Sequence, residues 1–177
     1  MGFLLLIPFF LVRFTLLGAR NREAVAKAAH FPPLGSGERP AYWVYQISTT
    51  GIVFCILILR VKTEPAALFF LGLFFYLMGL VFLAASVIDF AAPVPNGFHQ
   101  NGVYRFSRNP MYIAYFVLFL GCVLLTQSLP LLGFLATFQL STHWIILAEE
   151  RWCADQFGEE YLNYRRQVPR YVWPFTG

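Results

Sequence analysis

The sequence predicts an all-α integral membrane protein: a bundle of five transmembrane helices followed by a C-terminal amphipathic helix on the cytoplasmic side. Three observations carry this. Of 177 residues, 58% are hydrophobic and only 12% charged, with mean hydropathy +0.60, which leaves too little polar surface for a monomer in water. The apolar residues fall into five long runs separated by polar connections containing proline or glycine. The basic residues gather in alternate connections, as expected of a multi-pass chain. No composition shift divides the sequence, so residues 1–177 are read as a single membrane domain.

The first run, Phe3 to Gly18, carries Arg13 within it and has no basic residue ahead of it. A cleaved secretory signal begins with basic residues, so a retained helix is expected. Residues Ala19 to Pro40 hold Arg20, Arg22, Lys27 and Arg39, with Pro32, Pro33, Gly35 and Gly37 as breakers. They form a polar loop with room for a short surface helix over Arg22 to His30, and His30 is a solvated loop residue. Ala41 to Leu59 is the second span, closed by Arg60, Lys62 and Pro65. Ala66 to Ile88 is the third, ended by Asp89; at ~1.5 Å per residue it exceeds the ~30 Å of hydrocarbon and favours a tilt.

Pro110 suits the first turn of a fourth helix, because its missing N–H has no partner to lose there. The run that follows, Met111 to Thr126, is ~24 Å long as a helix, short for a full crossing. A tight turn at Gln127-Ser128-Leu129 leads to Pro130, which opens the fifth run to Ala148. With the N-terminus outside, Arg20, Arg22, Lys27, Arg39, Arg105, Arg108, Arg151, Arg165, Arg166 and Arg170 lie in the cytoplasm, against only Arg60 and Lys62 outside. The C-terminus is therefore expected inside.

A net charge of +4 and pI near 9.1 could suggest nucleic acid. The basic residues, however, sit between apolar runs rather than along one face, which points to topology and anionic headgroups, with no nucleic-acid partner. Cys55, Cys122 and Cys153 are odd in number and two lie inside apolar runs. They supply neither a disulfide framework nor metal-ligand spacing.

The candidate chemistry lies in two clusters. Arg108 and Asn109 stand at the mouth of the fourth helix, where free N–H groups and partial positive charge suit an anionic ligand group; the alternative is that Arg105 and Arg108 only anchor the loop at headgroup level. Glu149 and Glu150 follow the fifth run directly, and a carboxylate at the membrane edge facing a cavity is a functional candidate. They also start the amphipathic helix, whose apolar stripe is Cys153, Phe157, Tyr161 and Tyr164. On the expected topology both clusters share the cytoplasmic face, with Tyr104, Phe106, Tyr112 and Trp152 between them. A zwitterion with a cationic centre fits such a pocket: carboxylate to the arginine or the helix end, ammonium to Glu149, positive centre against aromatic faces. S-adenosylmethionine is one such molecule. His143, six residues before Glu149, is a candidate base facing an acceptor channel, useful only for an acceptor that must lose a proton; otherwise it is a helix-packing hydrogen bonder.

Gly102-Val103-Tyr104, then Asn109-Pro110-Met111-Tyr112, a hydrophobic hairpin, Glu149-Glu150, Phe157-Gly158-Glu159-Glu160-Tyr161, Tyr164 and Arg170 together resemble the isoprenylcysteine carboxyl methyltransferase family and its phospholipid methyltransferase relatives. The resemblance covers residues 96–172. It implies S-adenosylmethionine as cofactor, bound by that region as its core, and a lipophilic or lipidated acceptor that arrives laterally from membrane lipid. Carboxyl O-methylation of an isoprenylcysteine is the activity implied first, with phospholipid N-methylation as the alternative, and no metal is called for. Position by position, the resemblance implies that Tyr104, Asn109, Pro110, Met111 and Tyr112 line the cofactor site with Asn96 to His99 nearby in the preceding loop, beside Arg108 at the helix mouth. Glu149 would contact the cofactor's amino-acid end, with Glu150 as its partner.

Two positions depart from the prenylcysteine pattern: Asn109 stands where those enzymes usually have His, and Ile145 where they place an arginine implicated in holding the acceptor. The closing Val168-Pro169-Arg170 is similar also to membrane sterol-type reductases, which use NADPH. The paired glutamates favour methyl transfer.

Overall fold

The computed structural model describes residues 1–20, 32–35, 37–94 and 97–171, and among these every regular element is helical. The surface helix expected over Arg22 to His30, the setting of His30 and that of Asn96 lie outside the described residues. The N-terminal span (Gly2–Ala19) is composite: a 3-10 turn (Gly2–Leu5), α1 (Leu6–Phe10), a π-helical stretch (Leu11–Leu16) and α2 (Leu17–Arg20). There follow α3 (Arg39–Ile58), α4 (Ala66–Ala91), α5 (Pro110–Thr126) and α6 (Leu129–Gln167).

Among the described residues four helices are long and apolar enough to cross a bilayer, whereas α5 has 17 residues and reaches only ~25 Å. The chain is a multi-pass membrane protein. Its surface agrees: Trp43, Phe70, Val81 and Leu140 are each more than 60% exposed, as lipid allows and water would not.

Backbone hydrogen bonds tie one end of the bundle together. Gly2 N donates to Leu59 O and Lys62 N to Leu125 O, both at 2.8 Å, and Gln127 Nε2 donates to Glu64 O at 2.7 Å. The start of the N-terminal span, the α3–α4 connection and the α5–α6 turn therefore share one face. The α4–α5 connection and the second half of α6 share the other. Within the bundle α4 and α5 meet backbone to backbone: a Cβ at Gly79 would strike the Leu118 backbone, and one at Gly121 the Tyr76 backbone. Without water to drive helices together, such close approach of small residues is how they associate in lipid. Ile52, Leu83, Leu118, Leu131 and Phe138 fill the centre and are almost fully buried.

The boundaries differ from the sequence reading in instructive ways. α3 opens at Arg39 with Pro40 in its first turn, not at Ala41. α4 does not end at Asp89 but continues to Ala91, because the Asp89 carboxylate is not left facing lipid: it accepts from Val103 N at 2.7 Å. α6 starts at Leu129, one residue before Pro130. Gln127 closes α5 in the left-handed conformation (φ 49°, ψ 46°), and Ser128 Oγ caps α6 by accepting from Leu131 N at 3.3 Å. Nor does a new helix begin at Glu149; α6 runs on to Gln167 and leaves helical geometry only at Gly158 (φ 54°, ψ −134°).

Candidate active site

Asp89 shapes the approach to α5. It packs so tightly on Gly102 (φ +60°) that a Cβ there would collide with the carboxylate, and it anchors the 3-10 turn Gly102–Arg105. A left-handed residue pressed against a side chain must be glycine. The turn aims Tyr104 inward, where it is 8% exposed, and Tyr164 Oη donates to its carbonyl at 2.7 Å. Burial pushes the Tyr104 phenol well above its ordinary range, so it stays neutral. His99 lies between Phe90 and Tyr104, with ring centroids 4.6 and 5.5 Å away.

Asn109 is the N-cap of α5, yet its side chain caps nothing in that helix. Its amide turns instead to Arg170 O at 3.3 Å and to Glu150 Oε1 at 3.5 Å. Two more contacts clasp the tail of the chain here, and a third braces the turn that makes them. Arg108 N donates to Pro169 O at 3.0 Å, Ser107 Oγ donates to Arg170 O at 3.0 Å, and Asn109 N donates to Ser107 Oγ at 3.1 Å.

Glu150, 2% exposed, is the electrostatic centre. Arg170 grips it with Nε at 3.0 Å and Nη2 at 2.9 Å, and Arg108 Nη2 stands 3.4 Å away. The hydrogen bond from Arg170 to Glu150 raises the arginine's pKa further and keeps it charged. Arg108 retains two buried nitrogens, Nε and Nη1, that no group among the described residues accepts from. Buried donors are normally satisfied, so this pair marks a place for an acceptor. Glu149, one residue earlier on α6, accepts from Tyr112 Oη at 2.8 Å.

Arg108, Asn109, Tyr112, Glu149 and Glu150 border one cavity of about 690 Å³, within the size range of small-molecule sites, roughly 300–1,000 Å³. Of the residues expected from sequence, His99, Tyr104, Arg108, Asn109, Pro110, Met111, Tyr112, Glu149 and Glu150 all line it. The basic turn before α5 and the acidic pair on α6 thus close over common space. Arg105 does not take part and is exposed.

His143 is not brought to the cavity. Six residues before Glu149, it is rotated by about 120° around α6, and its Nδ1 lies 3.1 Å from Tyr171 Oη. It borders a separate shallow groove with Gln139, Leu140, Trp144 and Tyr171. The stripe expected on the C-terminal segment packs against Phe98: Phe157, Tyr161 and Tyr164 stand 5.3, 5.4 and 5.6 Å from its ring.

Sequence reasoning missed the cavity's inner wall, formed by Phe9, Val53, Phe119 and Phe138 with Tyr45, Tyr115 and Arg13. Only Arg13 left a signal, a charge inside an apolar run. It also missed that Arg170 is Glu150's main partner.

The family model for phospholipid methyltransferase matches residues 47–160. A methanethiol S-methyltransferase from Crocosphaera subtropica (strain ATCC 51142 / BH68) is 33% identical over 86 residues, which cover 47% of this chain and 31% of that protein. The match thus spans about a third of that relative's length. No solved structure matches.

Proposed function

The chain belongs to the phospholipid methyltransferase family, and from that premise we propose that it transfers a methyl group from S-adenosylmethionine to a lipophilic acceptor held between its helices. The observation that carries this is Arg108. It lines a ligand-sized cavity with two buried nitrogens that nothing among the described residues accepts from, and the same cavity is lined by Glu149, whose carboxylate Tyr112 holds. A guanidinium fork in that state suits a carboxylate.

S-adenosylmethionine, when bound, supplies a methyl on a positively charged sulfur, and carries a carboxylate and an ammonium at its amino-acid end. Arg108 would take the carboxylate and Glu149 the ammonium, with Tyr112 holding Glu149 in place. Asn109, Pro110, Met111, Tyr104 and His99 would form the walls, and Glu150 would position Arg108. Aromatic faces would stabilise the sulfonium. Displacement at a methyl needs no protein nucleophile; alignment and exclusion of water supply most of the acceleration. His143 is assigned a packing role in this scheme.

The acceptor we place first is an isoprenylcysteine-type carboxylate, its hydrocarbon against Val53, Phe119 and Phe138. Thiol S-methylation is the second reading, favoured by the activity named for the relative and by Ile145, which stands where an acceptor-holding arginine would be. The site would open to the cytoplasm, given the arginine distribution.

Calorimetric titration of the protein in lipid nanodiscs tests the assignment. S-adenosylhomocysteine should bind and NADPH should not, and Glu149→Ala should weaken that binding more than tenfold while the protein stays folded. Incubation with labelled S-adenosylmethionine and a membrane extract then identifies the acceptor by which lipid gains label. Binding of NADPH alone, or unchanged affinity in the variant, would sink the assignment.

A further inference from the structure

Arg13 is a charged residue on the cavity wall that lies outside the stretch matched by the family model. It sits well inside an apolar span, where a guanidinium is expensive unless it faces a cavity or a partner. The helix carrying it is π-wound over Leu11–Leu16. Such wider turns concentrate at functional positions because they re-aim a side chain. Arg13 Nη1 is buried, and the guanidinium stands 6.0 Å over the Phe14 ring. Tyr45, Tyr115 and Glu149 line the same cavity as Arg13.

We propose that Arg13 binds the negatively charged nucleophile of the acceptor, a carboxylate or a thiolate carried on an apolar body. This rests on the methyl-transfer reading above and narrows it to an anionic acceptor. Among the described residues the cavity wall carries one further arginine, Arg108, which stands 3.4 Å from Glu150. Arg13 shares that wall with Phe9, Val53, Phe119 and Phe138. An amine acceptor would arrive there as an ammonium and meet like charge. A carboxylate or thiolate uses its own lone pair to form the new bond to the methyl carbon, while the donor's carbon–sulfur bond breaks with its electron pair left on sulfur. No proton moves, and the ester or thioether formed is neutral. Arg13 thus holds the substrate but not the product, which favours release into lipid.

The test is equilibrium binding to the full-length protein in nanodiscs, independent of turnover. Four probes are used in two pairs: N-acetyl-S-farnesylcysteine against its methyl ester, and dodecanethiol against dodecyl methyl sulfide. Dodecylamine serves as the amine control, and S-adenosylhomocysteine binding and thermal unfolding are measured alongside. The protein should prefer at least one anion-forming probe over its methylated partner by tenfold or more, the pair concerned showing whether carboxylate or thiolate is recognised. Arg13→Gln should reduce that preference below threefold with S-adenosylhomocysteine affinity within twofold, and Arg13→Lys should retain it. Equal binding within both pairs, preference for dodecylamine, a preference that survives Arg13→Gln or is lost in a folded Arg13→Lys, or a parallel loss of S-adenosylhomocysteine binding would each overturn the proposal. If the wild type ignores S-adenosylhomocysteine yet shows an acid-over-ester preference that Arg13→Gln removes, the methyl-transfer reading falls and the anion site stands.

Discussion

Tyr112 donates its phenolic proton to Glu149 at 2.8 Å, joining the first turn of α5 to α6 across 37 positions of sequence. The bond sets the direction of a carboxylate that would otherwise be free to rotate. Tyr112→Phe removes it without changing the ring that packs 6.3 Å from Tyr115. About 1 kcal/mol of lost hydrogen bonding should appear as a roughly fivefold weaker binding of S-adenosylhomocysteine. Calorimetry on the variant checks this, with an unchanged melting temperature as the control.

Glu150 and its arginines behave differently, because their role is to hold the fold around the site. Glu150→Ala leaves Arg108 and Arg170 with no anion between them, both side chains less than 15% exposed. Breaking a buried pair in this way costs about 3–5 kcal/mol. Arg170→Ala leaves Glu150 with Arg108 still beside it and should cost less, about 1–3 kcal/mol. Thermal unfolding in detergent should rank the variants in that order.

The backbone contact of α4 with α5 predicts a packing defect. Gly121→Val places two methyls where the Tyr76 backbone now runs, and the helices must separate to admit them. Overpacking typically costs about 1–3 kcal/mol. The separation also carries Tyr112 and Asn109 away from α6, so ligand affinity should fall together with melting temperature.

One surface pair gives a pH signature. Arg151 Nη2 donates to Glu38 Oε2 at 2.8 Å and holds the Glu38 carboxyl below its ordinary 4.5. The folded chain therefore takes up that proton less readily than the unfolded one, and the pair contributes stability above about pH 4.5 that fades as pH falls through the lowered value. Arg151 is half exposed, so the contribution is under about 1 kcal/mol. Arg151→Ala should melt slightly earlier at neutral pH and together with the wild type once the pH has fallen below the lowered value.

Much of the site was legible because its residues are chemically improbable where they stand. Arg108, Asn109, Glu149 and Glu150 are polar at the edges of apolar runs, and each is explained by a neighbour across the cavity. Helix ends were less legible. Asp89 reads as a stop signal, yet α4 continues past it because a loop amide fourteen residues later accepts the burden of its charge, a contact that no local pattern encodes. His143 misled for the opposite reason: proximity in sequence to Glu149 says nothing about which side of α6 it occupies. The inner wall was invisible because Phe119 and Phe138 look like any other residues of a membrane helix, and only the tertiary arrangement separates lining from lipid-facing.

Gly158 interrupts the longest helix between the acidic pair and the segment that returns to the mouth of α5. A straight continuation would carry Pro169 and Arg170 onward into solvent, out of reach of Ser107 and Asn109. The bend works as an elbow that lets one helix contribute both an acid within the bundle and the strap that secures the opposite rim. Proteolytic nicking near residue 158 would therefore be felt as loosened cofactor retention rather than as loss of membrane insertion.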